Sequence, residues 1–323
     1  MKRLLANLND AAMCAMMDLR QRRHRLPDGF REHWDAHVAK HAGQSRMAYF
    51  FAPSMDRADD APAAAPGPHR WNSPVDSPHR ENNRCHALLF PCAAGWKAPT
   101  VLMLHALMSA SDRGYRAWAR RFNDRGWNAI FVHLPYHYSR TPRRHWNGEL
   151  AITADTIRTA EGLRAGVGEC RQLMAWLRGH GCREFGLWAC SYGGWIGALL
   201  ASVEPDFRWV SLIEPIVDVH HAIWESPAGR AVRRELRRAG MNAESLARHF
   251  PLVSPAHGEP LCGGGRVLFA AGKYDHIARA EDIARLSARW NGSELLVEPQ
   301  GHFGYRLMRA VWARLDERGL ITA

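Results

Sequence analysis

The residues best placed to do chemistry lie between 184 and 197, which read Glu-Phe-Gly-Leu-Trp-Ala-Cys-Ser-Tyr-Gly-Gly-Trp-Ile-Gly. An apolar, strand-like run (185–189) meets the turn Ala189-Cys190-Ser191-Tyr192-Gly193, and a helix-like run follows from 194 to about 203. A serine on such a strand–turn–helix corner projects its hydroxyl outward, provided small residues flank it two positions away on each side. Ala189 stands where glycine is usual, and alanine is the next smallest side chain. A serine hydroxyl is inert near neutral pH, so a nucleophilic role requires a base and a group that orients the base. Asp275 follows the apolar run 266–271, in the loop Gly272-Lys273-Tyr274-Asp275. His302 follows the apolar run 294–297, in the glycine-flanked loop Pro299-Gln300-Gly301-His302-Phe303-Gly304. Singly, these residues read as a capping serine, a turn former and a surface histidine. In this order, each just past its own apolar run, they predict a triad of Ser191, His302 and Asp275. A base role for His302 predicts activity that falls as pH drops through the histidine range.

The order Ser, Asp, His resembles that of the alpha/beta-hydrolase superfamily, and the resemblance covers about residues 84 to 320. Within it, the chain resembles uncharacterised alpha/beta-hydrolase-domain proteins that carry an aromatic, basic segment after the next strand, here Leu134-Pro135-Tyr136-His137-Tyr138-Ser139-Arg140-Thr141-Pro142. Upstream, the strand-like run 99–104 leads into His105-Ala106-Leu107-Met108, where many relatives carry His-Gly. The resemblance implies that this loop and the residue after the nucleophile give backbone N–H groups to an oxyanion. Leu107 and Tyr192 are the expected donors, with Ala106 as the alternative. It further implies a serine hydrolase that cleaves an ester or related acyl bond through an acyl-enzyme, with no cofactor and no metal. The implied substrate is a small-molecule or lipid-like acyl compound. Two other readings use the same residues: a non-catalytic hydrolase-like binding or scaffold protein, and an acyltransferase that passes the acyl group to an alcohol or amine.

Glu214 and Asp218, after the strand-like run 209–213, compete with Asp275 for the acid role, and the loop around Asp275 fits better. Cys190 adjoins the serine, but a neighbour on a sharp turn points elsewhere. His105, Tyr136, His137, Tyr138, Arg143 and Arg144 are expected to line the substrate pocket, together with the Arg140 and Trp146 segment. Guanidinium groups there would recognise an anionic group on the substrate by paired hydrogen bonds. His105, His133 and His137 lack a helical His-x-x-x-His pair and a helper carboxylate, so they are not expected to hold a metal.

Stepping outward, strands and helices alternate: strands near 87–90, 100–105, 129–134 and 209–213, helices near 115–124, 154–178 and 280–290. That alternation predicts an α/β fold with a doubly wound, mostly parallel sheet. Residues 1–51 read as an N-terminal helical extension, with Leu4, Leu8, Met13, Met16, Met17 and Leu19 at near-helical spacing, docked on the body. Residues 52–83, rich in Pro, Ala, Asp and Ser, read as a linker with a short edge strand near Trp71. Residues 84–323 form the expected hydrolase domain, with a helical cap at about 216–264. The arginines of the cap read as a solvated face.

The net charge is +11, from 43 basic and 32 acidic residues, yet only Lys2, Lys40, Lys97 and Lys273 are lysines. No zinc-finger spacing or RNA-binding aromatic motif accompanies the charge, so no nucleic-acid partner is expected. Seven cysteines, an odd number without a C-x-x-C pair, point to reduced thiols and a cytoplasmic setting. Asn7, Asn9 and Asp10 interrupt the apolar start, which argues against a signal peptide. No stretch approaches the ~18 uninterrupted apolar residues of a transmembrane helix. The oligomeric state is left open.

Overall fold

The computed structural model describes residues 2–53, 55 and 63–322; the remainder of the expected linker, 54 and 56–62, lies outside the described residues. Among these, eight strands form one sheet in the order β1-β2-β4-β3-β5-β6-β7-β8. They are β1 (Gly67–Asn72), β2 (Arg84–Phe90), β3 (Thr100–Leu104), β4 (Asn128–His133), β5 (Phe185–Cys190), β6 (Phe207–Ile213), β7 (Val267–Gly272) and β8 (Glu294–Glu298). The six from β4 to β8 are parallel, while β2 joins β4, and β1 joins β2, in antiparallel register. Every residue of β3, β4, β5 and β7 is buried. Strands covered on both faces read as unbroken apolar runs rather than alternating ones, which is why these segments stand out in the sequence.

The helices are α1 (Lys2–Gln21), α2 (Phe30–Lys40), α3 (Arg46–Tyr49), α4 (Arg113–Asn123), α5 (Thr156–Gly179), α6 (Tyr192–Ala201), α7 (Arg230–Arg238), α8 (Ala243–Ala247), α9 (Phe250–Val253), α10 (Ala280–Arg289) and α11 (Arg306–Glu317). One face of the sheet packs on α4 and α11 through Ala119, Phe122, Leu307, Val311 and Leu315. The other packs on α5, α6 and α10. The sequence reading did not define α11, although Leu307, Val311 and Leu315 recur every fourth residue, which is helical spacing. No helix among the described residues is long and apolar enough to cross a membrane.

The N-terminal segment is helical as expected, but α1 docks the other way up. Its buried positions are Asp10, Cys14, Asp18 and Gln21, whereas Leu4, Leu5, Leu8 and Leu19 are exposed. The leucine stripe expected to seat the helix faces outward, and a polar stripe faces the body. The reason lies underneath: α1 crosses loop backbone that needs hydrogen-bond partners. Gln21 donates to the carbonyls of Glu149 and Ile152, and Asp10 accepts from two amides of the His302 loop. The helix also packs on α7 and on residues 227–229. Further on, Trp34 donates its indole N–H to the Ser245 carbonyl, tying α2 to α8.

Candidate active site

The loops at the carboxyl ends of the parallel strands carry most of the backbone strain. Met108 follows β3, Tyr136 and Tyr138 follow β4, Ser191 ends β5 and Glu214 ends β6, and all five have positive φ. Each such non-glycine conformation costs about 1–3 kcal/mol and persists where the surroundings impose it, often at functional sites. Ser191 has φ 50° and ψ −111°. Its amide donates to the Ile213 carbonyl at 2.8 Å, and the Trp195 amide bonds back to the Ser191 carbonyl at 2.9 Å.

Close packing explains the small residues around it. A Cβ on Gly193 would lie 2.6 Å from the carbonyl oxygens of Leu104 and His105, and the Gly193 amide donates to His105 at 3.0 Å. A Cβ on Gly197 would lie 2.8 Å from the Ala189 methyl. Ala189 is therefore tolerated in place of glycine because its opposite number in α6 has no side chain.

Three side chains from three loops meet in a row. Ser191 Oγ lies 2.8 Å from His302 Nε2, and His302 Nδ1 lies 2.7 Å from Asp275 Oδ2. The other Asp275 oxygen accepts from the amides of Ile277 and Ala278 at 2.7 and 2.9 Å. With Nδ1 donating to Asp275, Nε2 presents its lone pair to the hydroxyl, the arrangement required for a proton to pass from oxygen to nitrogen. Burial by itself would depress the His302 pKa. The charge and hydrogen bond of Asp275, followed by the charges of Glu214 and Asp10, outweigh it and raise the pKa to about 9. That moves the titration above the ordinary histidine range assumed from sequence.

Glu214 does not contact His302 in this way. It accepts from Gln300 Nε2 at 2.7 Å, and burial pushes its carboxyl well above the usual carboxylate range. Asp218 accepts from the His221 amide. Cys190 is buried, and desolvation followed by the charge of Glu214 raises its thiol pKa, so it stays protonated.

The loop after β3 is braced from below. His105 Nε2 accepts from the Leu134 amide at 3.1 Å and its Nδ1 faces the Ala106 carbonyl at 2.9 Å. His137 Nε2 accepts from the Met108 amide, and its Nδ1 lies 2.8 Å from the Pro135 carbonyl. Both rings are fully buried with both nitrogens engaged, which corrects the expectation that they line a pocket. The Ala106 amide donates to the Tyr115 hydroxyl at 3.3 Å, so it is occupied. No hydrogen bond among the described residues engages the amides of Leu107 or Tyr192, the latter being the first residue of α6.

Arg140 also departs from the sequence reading. It forms a bidentate pair with Glu169 and donates to the carbonyls of Asn82 and His133. With both terminal nitrogens engaged and its Nε buried, this guanidinium is a structural strut out of reach of a substrate. Arg143 and Arg144 are exposed. Tyr138 stacks on His133 with ring centroids 4.8 Å apart. Tyr136 lines a cavity of about 320 Å³ together with Phe30, Asn82, Arg158, Glu161 and Gly162, and the triad is not part of its lining. Ser191 and His302 are only 7 % and 8 % exposed.

Sequence reasoning missed Asp10. Its Oδ2 accepts from the His302 amide at 2.9 Å and Oδ1 from the Phe303 amide at 3.4 Å. Burial raises its pKa, against the lowering effect of the His302 amide. The available signal was the polar spacing of Asp10, Asp18 and Gln21 within a leucine-bearing helix.

Strand order, crossover helices and the loops that hold the row define an alpha/beta-hydrolase fold. The chain has the alpha/beta-hydrolase fold. Residues 112–223 match the model of the family described as alpha/beta hydrolase domain containing 18. An uncharacterised protein of Mycobacterium tuberculosis is 26% identical over 307 residues, covering 88% of this chain and 68% of that relative. Among solved structures, an acetyl xylan esterase from Paenibacillus sp. R4 superposes with a TM-score of 0.57 at 12% identity, over 93% of this chain and 98% of that one. Acetyl xylan esterase 1 from Thermoanaerobacterium sp. JW/SL YS485 gives 0.55 at 14% identity, over 90% and 93%.

Proposed function

We propose that this protein is a serine hydrolase that cleaves an ester or related acyl bond of a small-molecule or lipid-like substrate. The observation that carries the reading is the pair of hydrogen bonds joining Ser191 to His302 and His302 to Asp275, at 2.8 and 2.7 Å. His302 Nε2 takes the hydroxyl proton as Ser191 Oγ attacks the acyl carbon. The oxyanion that forms is received by the amides of Leu107 and Tyr192, each worth a few kcal/mol, about 3, to the transition state. His302 then returns the proton to the leaving group, and water, activated by the same imidazole, releases the acyl group. Asp275 keeps the imidazole in the useful tautomer and stabilises its cation.

Esterases among the proteins of the same fold agree with an acyl substrate. A fluorophosphonate probe tests the reading. Labelling of the wild type and none of Ser191→Ala is the expected result. Equal labelling of both, or no labelling of either with turnover of an ester panel also absent, would remove the hydrolase reading and leave a binding protein. Product analysis with an added alcohol or amine separates hydrolysis from acyl transfer.

A further inference from the structure

A second group of chemically able side chains lies outside the triad, where α2 meets α5. His37 and His41 stand one helical turn apart on α2, on the same face. Glu161 of α5 faces both. His37 Nδ1 is 3.9 Å and His41 Nε2 is 3.7 Å from the same carboxylate oxygen, Oε1. One donor atom from each of the three lies within 4.8 Å of the others.

Those distances are too long for hydrogen bonds. They are close to the separation of about 3.3–3.5 Å between ligand atoms around a tetrahedral zinc with bonds of ~2.0–2.1 Å. His41 Nε2, the atom that faces Glu161 Oε1, is buried without a hydrogen-bond partner among the described residues. Buried polar atoms are rarely left that way, and each one calls for an explanation.

The surroundings are those of a ligand set. His41 Nδ1 lies 3.2 Å from Gln44 Oε1. A proton on that nitrogen leaves Nε2 with a lone pair, as outer partners of ligating histidines commonly arrange. Arg164 grips Glu161 Oε2 and leaves Oε1 turned to the histidines. Its positive charge weakens the site for hard cations that rely on charge alone. Imidazoles favour zinc-like ions over calcium or magnesium. His249, from the cap region, packs its ring 4.9 Å from that of His37 and pairs with the Tyr49 hydroxyl at 3.2 Å.

We propose that His37, His41 and Glu161 form a zinc-type divalent metal site, with water in the fourth position, that clips the N-terminal segment to α5. The second histidine–carboxylate group, His24, His145 and Glu149, is a natural control. There His24 already hydrogen-bonds to Glu149 at 2.9 Å, and the other oxygen of that carboxylate accepts from the Trp146 amide, so the carboxylate is engaged on both oxygens although His145 Nδ1 is unpartnered.

The test is metal titration of the full chain after chelator treatment, with Zn²⁺ followed by calorimetry and Co²⁺ by visible spectroscopy. One tight equivalent is expected, with a four-coordinate Co²⁺ spectrum lacking thiolate charge-transfer bands. His41→Ala and the near-isosteric Glu161→Gln should each weaken binding more than about a hundredfold, beyond the loss of a mere supporting partner. His24→Ala should bind as the wild type does, and circular dichroism checks that each variant is folded. Absence of saturable uptake, a thiolate spectrum, or equal affinity in Glu161→Gln and wild type would each overturn the proposal.

Discussion

Asp10 of the first helix holds the backbone amide of His302 at 2.9 Å, across 292 positions of sequence. The residue that supports the His302 loop therefore lies on the N-terminal helix, far from the sheet strands in sequence. A Cβ on the preceding Gly301 would lie within 2.5 Å of the Asp10 carboxylate, so the two are packed as closely as the backbone allows. Removing the carboxylate leaves a buried amide unsatisfied, which costs about 1–3 kcal/mol. Asp10→Ala should lower the melting temperature and reduce kcat on a short acyl ester about tenfold, with KM little changed. A variant with wild-type kcat and melting temperature would show that the contact supports nothing.

Ser191→Ala tests the nucleophile directly. The alanine keeps the backbone that the elbow imposes and removes only Oγ, so stability should stay within about 0.5 kcal/mol. Turnover should fall at least about a thousandfold, the range seen when a triad member is lost. Steady-state rates on an ester panel, beside a thermal melt, read both quantities.

The raised His302 pKa gives a pH profile of defined sign. With the pKa held up at about 9, most of the imidazole carries a proton at neutral pH and the free base increases as pH rises. We therefore expect kcat/KM to climb between about pH 7 and pH 9 and to level off above. A plateau reached below pH 7 would contradict it. The same proton favours the folded state. That contribution is complete below the ordinary value of 6.5 and is lost as pH rises through about 9. Chemical denaturation at about pH 7 and pH 10 would measure the difference.

Ala189 and Gly197 make a complementary pair. Gly197→Ala would put two methyl groups 2.8 Å apart and should destabilise the elbow by about 1–3 kcal/mol through overpacking. Adding Ala189→Gly should restore part of that loss, which a double-mutant cycle detects as a coupling of at least about 0.5 kcal/mol. Simple additivity would mean that the two methyls do not meet.

Arg140 and Glu169 form a buried pair with side-chain exposures of 1% and 0%. Glu169→Ala leaves an uncompensated guanidinium and should cost about 3–5 kcal/mol. Arg143→Ala, at an exposed position, should change stability by less than about 0.5 kcal/mol. Urea unfolding of both variants separates the internal strut from the surface arginine.

The row of Ser191, Asp275 and His302 was legible because each residue follows an apolar run that becomes a strand, fully buried in β5 and β7 and half-buried at the sheet's edge in β8, so its place at a strand's carboxyl end was implied by its neighbours. The parallel sheet was legible for the same reason. Arg140 was not, because its partner Glu169 sits in the middle of α5 and nothing local in the sequence marks the pairing. His105 and His137 carried no sign that loop amides and carbonyls would use up their ring nitrogens. The leucines of α1 misled because periodic apolar residues suggest a docking face, and here the loops beneath α1 offered polar backbone groups instead. The pair His37 and His41 is visible at helical spacing, but only the packing of α2 on α5 reveals Glu161 opposite them.

The near-complete enclosure of Ser191 and His302 bears on how selectivity would arise. In the proposed hydrolase, a serine this well sheltered would leave little room beside its hydroxyl, so of two acyl compounds with equal intrinsic reactivity the slimmer would react faster.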